Sequence, residues 1–286
     1  MSWSEAESDR RSETPAGDSA SVQVTILGSG TLLPDDGHRS AAHLVEGSGF
    51  SLLMDCGSGT VHGMDRDGVR WRELTQVAIS HFHTDHFGDL PALMWALKHG
   101  AAEARDEPLT VLGPRGLRRT LALLAEAYGE FILDPGFPVE LVELEPGGVW
   151  GDGDAGIRLR AHEARHTPEA LAFLVDAGEV KVGYTGDTGP LPVLGTFFQG
   201  VRLLIAECAL CDGSEVESHL SPTGVASLLR DVRPDLTVLT HLYPEVDRDG
   251  LPDLIRGLGY TGEVLVGHDG LRIQIRPGHA PVPAVD

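Results

Sequence analysis

Residues 81 to 86 read HFHTDH, three histidines and an aspartate within six positions. Such side chains offer imidazole nitrogens and a carboxylate oxygen to a cation. The preceding TQVAIS has the composition of a short buried strand, so the group stands where a strand gives way to a loop. In extended backbone alternate side chains share a face, so His81 and His83 point the same way and can hold one ion. Asp85 and His86 lie beyond a turn helped by Thr84 and followed by Gly88, and they can reach a second ion beside the first. Nitrogen and carboxylate donors without a thiolate set suit Zn²⁺ best, with Mn²⁺ or Fe²⁺ as alternatives. A structural zinc is normally closed and commonly bound by cysteine, so this donor set points to catalysis. Two ions about 3.5 to 4 Å apart lower the pKa of a water between them toward about 7 and polarise a substrate oxygen.

These side chains need a scaffold, and the sequence outlines one. Short apolar runs recur, and six of them finish on a residue of ligand or acid–base type: FSLLM at Asp55, TQVAIS at His81, KVGYTG at Asp187, RLLIA at Glu207, LTVLT at His241 and EVLVG at His268. Reactive groups gather at strand ends in α/β sheets, where a rigid framework positions the loops. Three segments between the runs have helical signals. GDLPALMWALKHG offers Asp89 as a cap, Pro91 in the first turn and Gly100 as a stop; PRGLRRTLALLAEAYG carries Leu117, Leu121, Leu124 and Tyr128 along one face; SPTGVASLLRDV opens with Ser221 and Pro222. The sum is an α/β protein with helices covering sheet faces.

Composition bounds the partners. With 43 acidic against 22 basic residues, the net charge of -21 repels polyanions, and RGLRR at 115 to 119 reads as a solvated helix face. No long nucleic acid is therefore expected. The chain contains no apolar run of membrane-spanning length and no apolar leader, and Cys56, Cys208 and Cys211 are too few for a disulfide scaffold, so a cytoplasmic protein is expected. Residues 1–20 read as a disordered tail, 21–278 as one domain and 279–286 as a loose end.

HFHTDH also matches the HxHxDH signature of the metallo-β-lactamase superfamily, and the likeness extends to GSGT at 28 to 31, Asp55, RHTPEA with His166, YTGDT with Asp187 and THLYP with His241. The resemblance implies a four-layer αβ/βα sandwich with two zinc ions at one edge. It also implies that His81, His83 and His166 hold one ion, that Asp85, His86 and His241 hold the other, and that Asp187 bridges them. Asp85 is counted among the catalytic residues as well. Asp55 would hydrogen-bond a ligand histidine without touching metal. A homodimer is a further implication.

AECALCDGSEVESHLSPTGVA narrows the chemistry, because Glu207 and His219 resemble the Glu/His pair by which tRNA 3′-processing nucleases and related phosphodiesterases of this superfamily protonate a leaving oxygen. A carboxylate beside an imidazole raises its pKa and fixes its tautomer, which makes a general acid near neutrality. Those nucleases commonly carry a Gly/Pro-rich arm between the third metal histidine and the bridging aspartate. From His166 to Asp187 there is room only for a hairpin. The expectation is a dinuclear zinc phosphodiesterase acting on small or single-stranded substrates, cyclic nucleotides among them, by attack of metal hydroxide. The alternatives are carboxylic-ester or lactone hydrolysis at the same centre, tRNA 3′-processing, and a non-catalytic binding module. The CxxC of Cys208 and Cys211 reads as two buried thiols; His38, His43, His62, His99 and His162 as surface or loop residues; Arg39 and Arg165 as candidate anion contacts. Residues 128–150 are expected to cover the cleft or a partner surface, and His268 to approach the site.

Overall fold

Strands that are apolar on both faces need cover on both sides, and this requirement organises the chain. The computed structural model describes residues 21–100, 104–214 and 216–284; the tail expected over residues 1–20 lies outside them. The first six strands are β1 (Val22–Gly28), β2 (Ala42–Gly47), β3 (Phe50–Met54), β4 (Gln76–Ala78), β5 (Leu109–Pro114) and β6 (Val139–Leu144). The chain then crosses to a second sheet made by β7 (Val149–Asp152), β8 (Ile157–Glu163), β9 (Leu171–Ala177), β10 (Val180–Tyr184), β11 (Leu203–Glu207), β12 (Leu236–Thr240) and β13 (Glu263–Val266). It returns through β14 (Arg272–Ile275) and β15 (Val282–Pro283) to complete an eight-stranded sheet of order β15-β14-β1-β2-β3-β4-β5-β6. The second sheet runs β13-β12-β11-β10-β9-β8-β7.

Helices α1 (Thr60–Arg66), α2 (Thr84–Phe87), α3 (Leu90–His99) and α4 (Leu117–Tyr128) accompany the first sheet, and α5 (Val193–Phe197), α6 (Pro222–Val232) and α7 (Leu251–Gly257) the second. Three apolar layers result. Leu44, Leu53 and Val77 pack under Met64, Leu93 and Leu117 on the outer face of one sheet. Val24, Leu52, Phe173, Val182 and Ile205 fill the space between the sheets. Leu174, Leu204 and Leu239 meet Leu194, Val225 and Leu229 on the outer face of the other. The order helix, sheet, sheet, helix is the expected four-layer sandwich. Phe173, fully buried in the middle layer, contributes about 2 to 3 kcal/mol by removal from water.

Each sheet contains a parallel set, β3-β4-β5-β6 in one and β10-β11-β12-β13 in the other. Parallel strands end on the same edge, so residues after β3, β4, β10, β11 and β12 are brought to common ground. Register tightens this: Met54 pairs with Ala78, Tyr184 with Ile205, and Glu207 with Thr240.

Several local expectations are corrected. Residues 130 to 144 make a 3₁₀ turn at Glu130–Ile132 and the edge strand β6, with Ile132, Phe137 and Leu144 buried. The alternating VELVEL run pairs in parallel with β5, which satisfies its backbone on one side. Asp89 and Ser221 occupy cap positions, yet neither side chain caps its helix. Asp89 Oδ2 instead accepts from the Val61 N–H at 3.0 Å, and Asp212 caps α6 by accepting from Thr223 N–H and Oγ1–H, both at 3.0 Å. Within the end expected to be loose, Val282 and Pro283 pair with β14. Among the described residues no helix is long and apolar enough to cross a membrane.

Candidate metal centre

Short β4 stops at Ala78, and the chain turns through Ser80 to His83, whose extended backbone (φ -65°, ψ 148°) starts the single turn α2. That turn swings Asp85 and His86 back under the edge, with the His86 N–H on the His83 carbonyl at 3.0 Å. The neighbouring Gly57 has no alternative, because a Cβ there would fall 2.0 Å from the Asp85 carbonyl oxygen. Asp55 and His241 are non-glycine residues with φ of 60° and 55°. Such backbone costs on the order of 1 to 3 kcal/mol and persists only when the surroundings hold it. Here the Asp55 N–H donates to Ala78 O and the His241 N–H to Ser29 O, each at 2.8 Å.

The side chains converge on two adjoining seats. In the first, His83 Nδ1 lies 3.0 Å from both His81 Nε2 and His166 Nε2. Asp187 Oδ2 stands 3.8 Å from His81 Nε2 and 3.7 Å from His166 Nε2. In the second, Asp85 Oδ2 is 3.3 Å from His241 Nε2 and 3.8 Å from His86 Nε2. Asp187 serves both, with Oδ1 3.2 Å from His86 Nε2 and Oδ2 3.4 Å from His241 Nε2. Donors about 2 Å from a tetrahedral zinc sit roughly 3.3 Å from each other, which is the spacing seen. His86 Nε2 and Asp187 Oδ1 are also buried without a hydrogen-bond partner, an expensive state unless a cation takes both. The residues therefore fit a pair of divalent ions, and all seven candidate ligands are brought together.

Protonation follows the same geometry. Burial, aided by the charge of His86, holds His81 well below the ordinary imidazole pKa, so it offers a lone pair. Burial alone would raise Asp187, but the charges of His241 and His86 outweigh it and keep the carboxylate ionised. Asp55 lies deeper and fixes His86, whose Nδ1–H donates to Asp55 Oδ2 at 2.7 Å. Tyr184 O–H donates to that same oxygen at 2.6 Å. His166 is fixed through Nδ1–H to the Ser218 carbonyl at 3.0 Å.

Beside the seats, His219 Nδ1 is 3.1 and 3.2 Å from the two oxygens of Glu207, a buried carboxylate at the end of β11. Glu207 also accepts from Thr188 N–H at 2.5 Å and from Ala209 and Leu220 N–H at 3.3 Å, which ties the His219 loop to the loop of Asp187. Burial opposes a charge on His219, but the bond to Glu207 prevails and its pKa is raised. A ligand atom of His219 lies within 4.8 Å of Asp187 and His241.

Other candidates part company with the site. His43 is not a surface residue; it is fully buried in β2, edge-on to Tyr184 at 4.8 Å, with both ring nitrogens unpartnered. Arg39 is a brace, bonded to Leu27 O at 2.7 Å, Asp269 at 3.0 Å and Asp67. Arg165 pairs with exposed Glu217 at 2.7 Å. His268 is exposed and turned to its neighbour's carbonyl, and its companion Asp269 is the residue that reaches inward, accepting from Ser29 N–H at 3.0 Å. His162 packs on Phe197, away from His166. Cys208 is buried as expected, but Cys211 is only half-buried. Sequence reasoning passed over Ser80 and Tyr184, although both lie inside segments with strand-end signals.

Comparison with known proteins bears on the family and the fold. The family model described as a Beta-lactamase superfamily domain matches residues 51–242. Ribonuclease Z of Mycobacterium sp. (strain KMS) is 26% identical over 285 residues, spanning 92% of this chain and 99% of that protein. Among solved structures, the metallo-beta-lactamase fold protein YhfI from Bacillus subtilis aligns with a TM-score of 0.76 at 22% identity, over 89% of this chain and 99% of that one. The short form of human tRNase Z aligns with a TM-score of 0.70 at 23% identity, over 88% and 98%.

Proposed function

The chain belongs to the beta-lactamase superfamily and is a metal-dependent hydrolase, and we propose that it hydrolyses phosphodiesters of small or single-stranded substrates, cyclic nucleotides among them. The observation that carries this reading is an imidazole, His219, clamped by a buried carboxylate at the margin of the two seats. His81, His83 and His166 would hold one ion and Asp85, His86 and His241 the other, with Asp187 shared. When bound, divalent ions, zinc being best suited to these donors, supply Lewis acidity and make hydroxide available near neutral pH.

The chain's own residues do the rest. Glu207 accepts the Nδ1 proton of His219, which leaves Nε2 as the atom that can meet a substrate. The bond to Glu207 raises the His219 pKa against the opposing effect of burial, which favours a proton at Nε2 that His219 can give to the departing oxygen. Esters with good leaving groups do not need that proton; diesters of sugars and alcohols do. The requirement for a donor is what favours phosphodiesters over activated esters.

A second reading, tRNA 3′-processing, is favoured by the name of the Mycobacterium relative, which matches nearly end to end. Against it stand the β9–β10 hairpin, whose strands are joined through residues 178 and 179, and the net charge of -21. Initial rates of the metal-replete protein on a cyclic nucleotide, whose leaving group is an alkoxide, a nitrophenyl ester, a lactone and a tRNA precursor with a 3′ trailer, each taken relative to its uncatalysed rate, decide between them. The diester should be turned over fastest. Faster turnover of the lactone or carboxylic ester, or efficient trimming of the precursor, would replace the proposed substrate class.

A further inference from the structure

A neutral imidazole carries one proton, so a histidine that offers Nε2 to an ion keeps its proton on Nδ1 and needs an acceptor there. His86 finds the Asp55 carboxylate and His166 the Ser218 carbonyl. For fully buried His81 the neighbour of Nδ1 is a hydroxyl, Ser80 Oγ, at 3.0 Å. Ser80 is itself fully buried; its Oγ lies 2.8 Å from Asp55 Oδ2, and its backbone N–H donates to Asp55 Oδ1 at 2.7 Å.

The direction of these bonds is determined by counting protons. An ionised carboxylate only accepts, so the single hydroxyl proton of Ser80 goes to Asp55, and Ser80 Oγ is left to accept from His81 Nδ1–H. His86 Nδ1–H reaches the same Asp55 oxygen from the other side. We infer that Ser80 is a positioning residue that extends the hold of Asp55 to His81, so that one buried carboxylate orients a ligand of each ion seat. This rests on the reading that the seats take divalent ions. Tyr184 makes the useful contrast, because it donates to Asp55 Oδ2 at 2.6 Å without bonding to either imidazole.

The test is ion uptake by protein stripped with a chelator, followed by calorimetry with Zn²⁺ and by visible absorption with Co²⁺. Ser80→Ala should weaken one of the two binding events by about 10- to 100-fold, the loss usual for an outer partner of a ligand histidine, and leave the other unchanged. In the same variant, NMR of the ion-loaded protein should show the Nδ1 proton of His81 exchanging faster while that of His86 keeps its protection. Asp55→Asn should weaken both events, and Tyr184→Phe should not single out one. Ser80→Cys, a weaker hydrogen-bonding group at the same position, should fall between wild type and Ser80→Ala, and it supplies the comparison if Ser80→Ala does not fold. Two-ion uptake that is unaffected by Ser80→Ala, or weakened equally at both seats, overturns the inference alone. A wild-type protein that takes up no divalent ion overturns the reading of the centre together with it.

Discussion

The two candidate ion seats are built from the same residue types and share Asp187, yet they differ in depth and in origin. In one, His83 is exposed and His166 half-buried; in the other, Asp85, His86 and His241 are all buried. The difference teaches where exchange and approach must occur. Charges in the buried seat are shielded from solvent and interact strongly, so an ion there would be held by the fold, whereas an ion in the open seat would face water and substrate. His219 stands at the junction, its ring 4.8 Å from His166 and 5.6 Å from His241.

The severest way to break this comparison is to remove what the seats share. Asp187→Ala should cost both ions and reduce turnover of a phosphodiester to the assay background, with metal content measured on the same sample. Wild-type affinity at both seats in that variant would show that Asp187 is not shared. Chelation of the intact protein sharpens the contrast without mutation: the open seat should empty first, giving two kinetic phases, with activity lost in the first. A single phase would mean that depth does not distinguish the seats.

His219→Ala comes next. It should keep both ions and lower turnover of diesters with alkoxide leaving groups by about 10²- to 10⁴-fold, but lose less than about tenfold on nitrophenyl diesters, which leave without a proton. Equal losses on both substrates would mean that His219 binds substrate instead of donating a proton.

The smallest effect tests the floor of the buried seat. Burial, with the charges of His86 and His241 adding to it, lowers the His43 pKa to about 3, against roughly 6.5 in the unfolded chain. Because the folded value is the lower one, the unfolded chain takes up the proton first as pH falls. Stability tied to this group is complete above about pH 6.5 and declines toward pH 3 by up to about 1.4 kcal/mol per unit. His43→Leu should remove that slope. Its urea-unfolding free energy should drop less than that of wild type between pH 7.5 and 4.5, by roughly 2 to 3 kcal/mol. Parallel loss in the two proteins would show that His43 does not titrate on unfolding.

The same contrast of local and distant origins governs how far the sequence could be read. Four of the seven ligand candidates fall in HFHTDH, where short-range geometry limits the outcome; Asp187 and His241 stand at strand ends and also match the family resemblance, while His166 rests on the resemblance alone. Strand β8 is illegible as a continuous apolar run because IRLRAHE alternates inward Ile157, Leu159 and Ala161 with outward neighbours. Strand β2 is obscured for the opposite reason: His43 interrupts AHLVEG with a polar residue that the fold nonetheless buries. Ser221 met the composition rule for a cap, but the loop through Asp212 reached the helix start first.

By itself the sequence determined the donor chemistry, the α/β class and the strand ends at which reactive groups stand, because side-chain type and strand periodicity are local properties. Only the tertiary structure decided that Asp187 touches both seats, that Ser80 lies between His81 and Asp55, that Arg39 is consumed in bracing, and that His43 is buried. Those outcomes depend on which strands pair and in what register: a slip of one residue in β2 would turn His43 to the opposite face, and the loops of Arg39, Ser80 and Asp187 are placed by the strands they join.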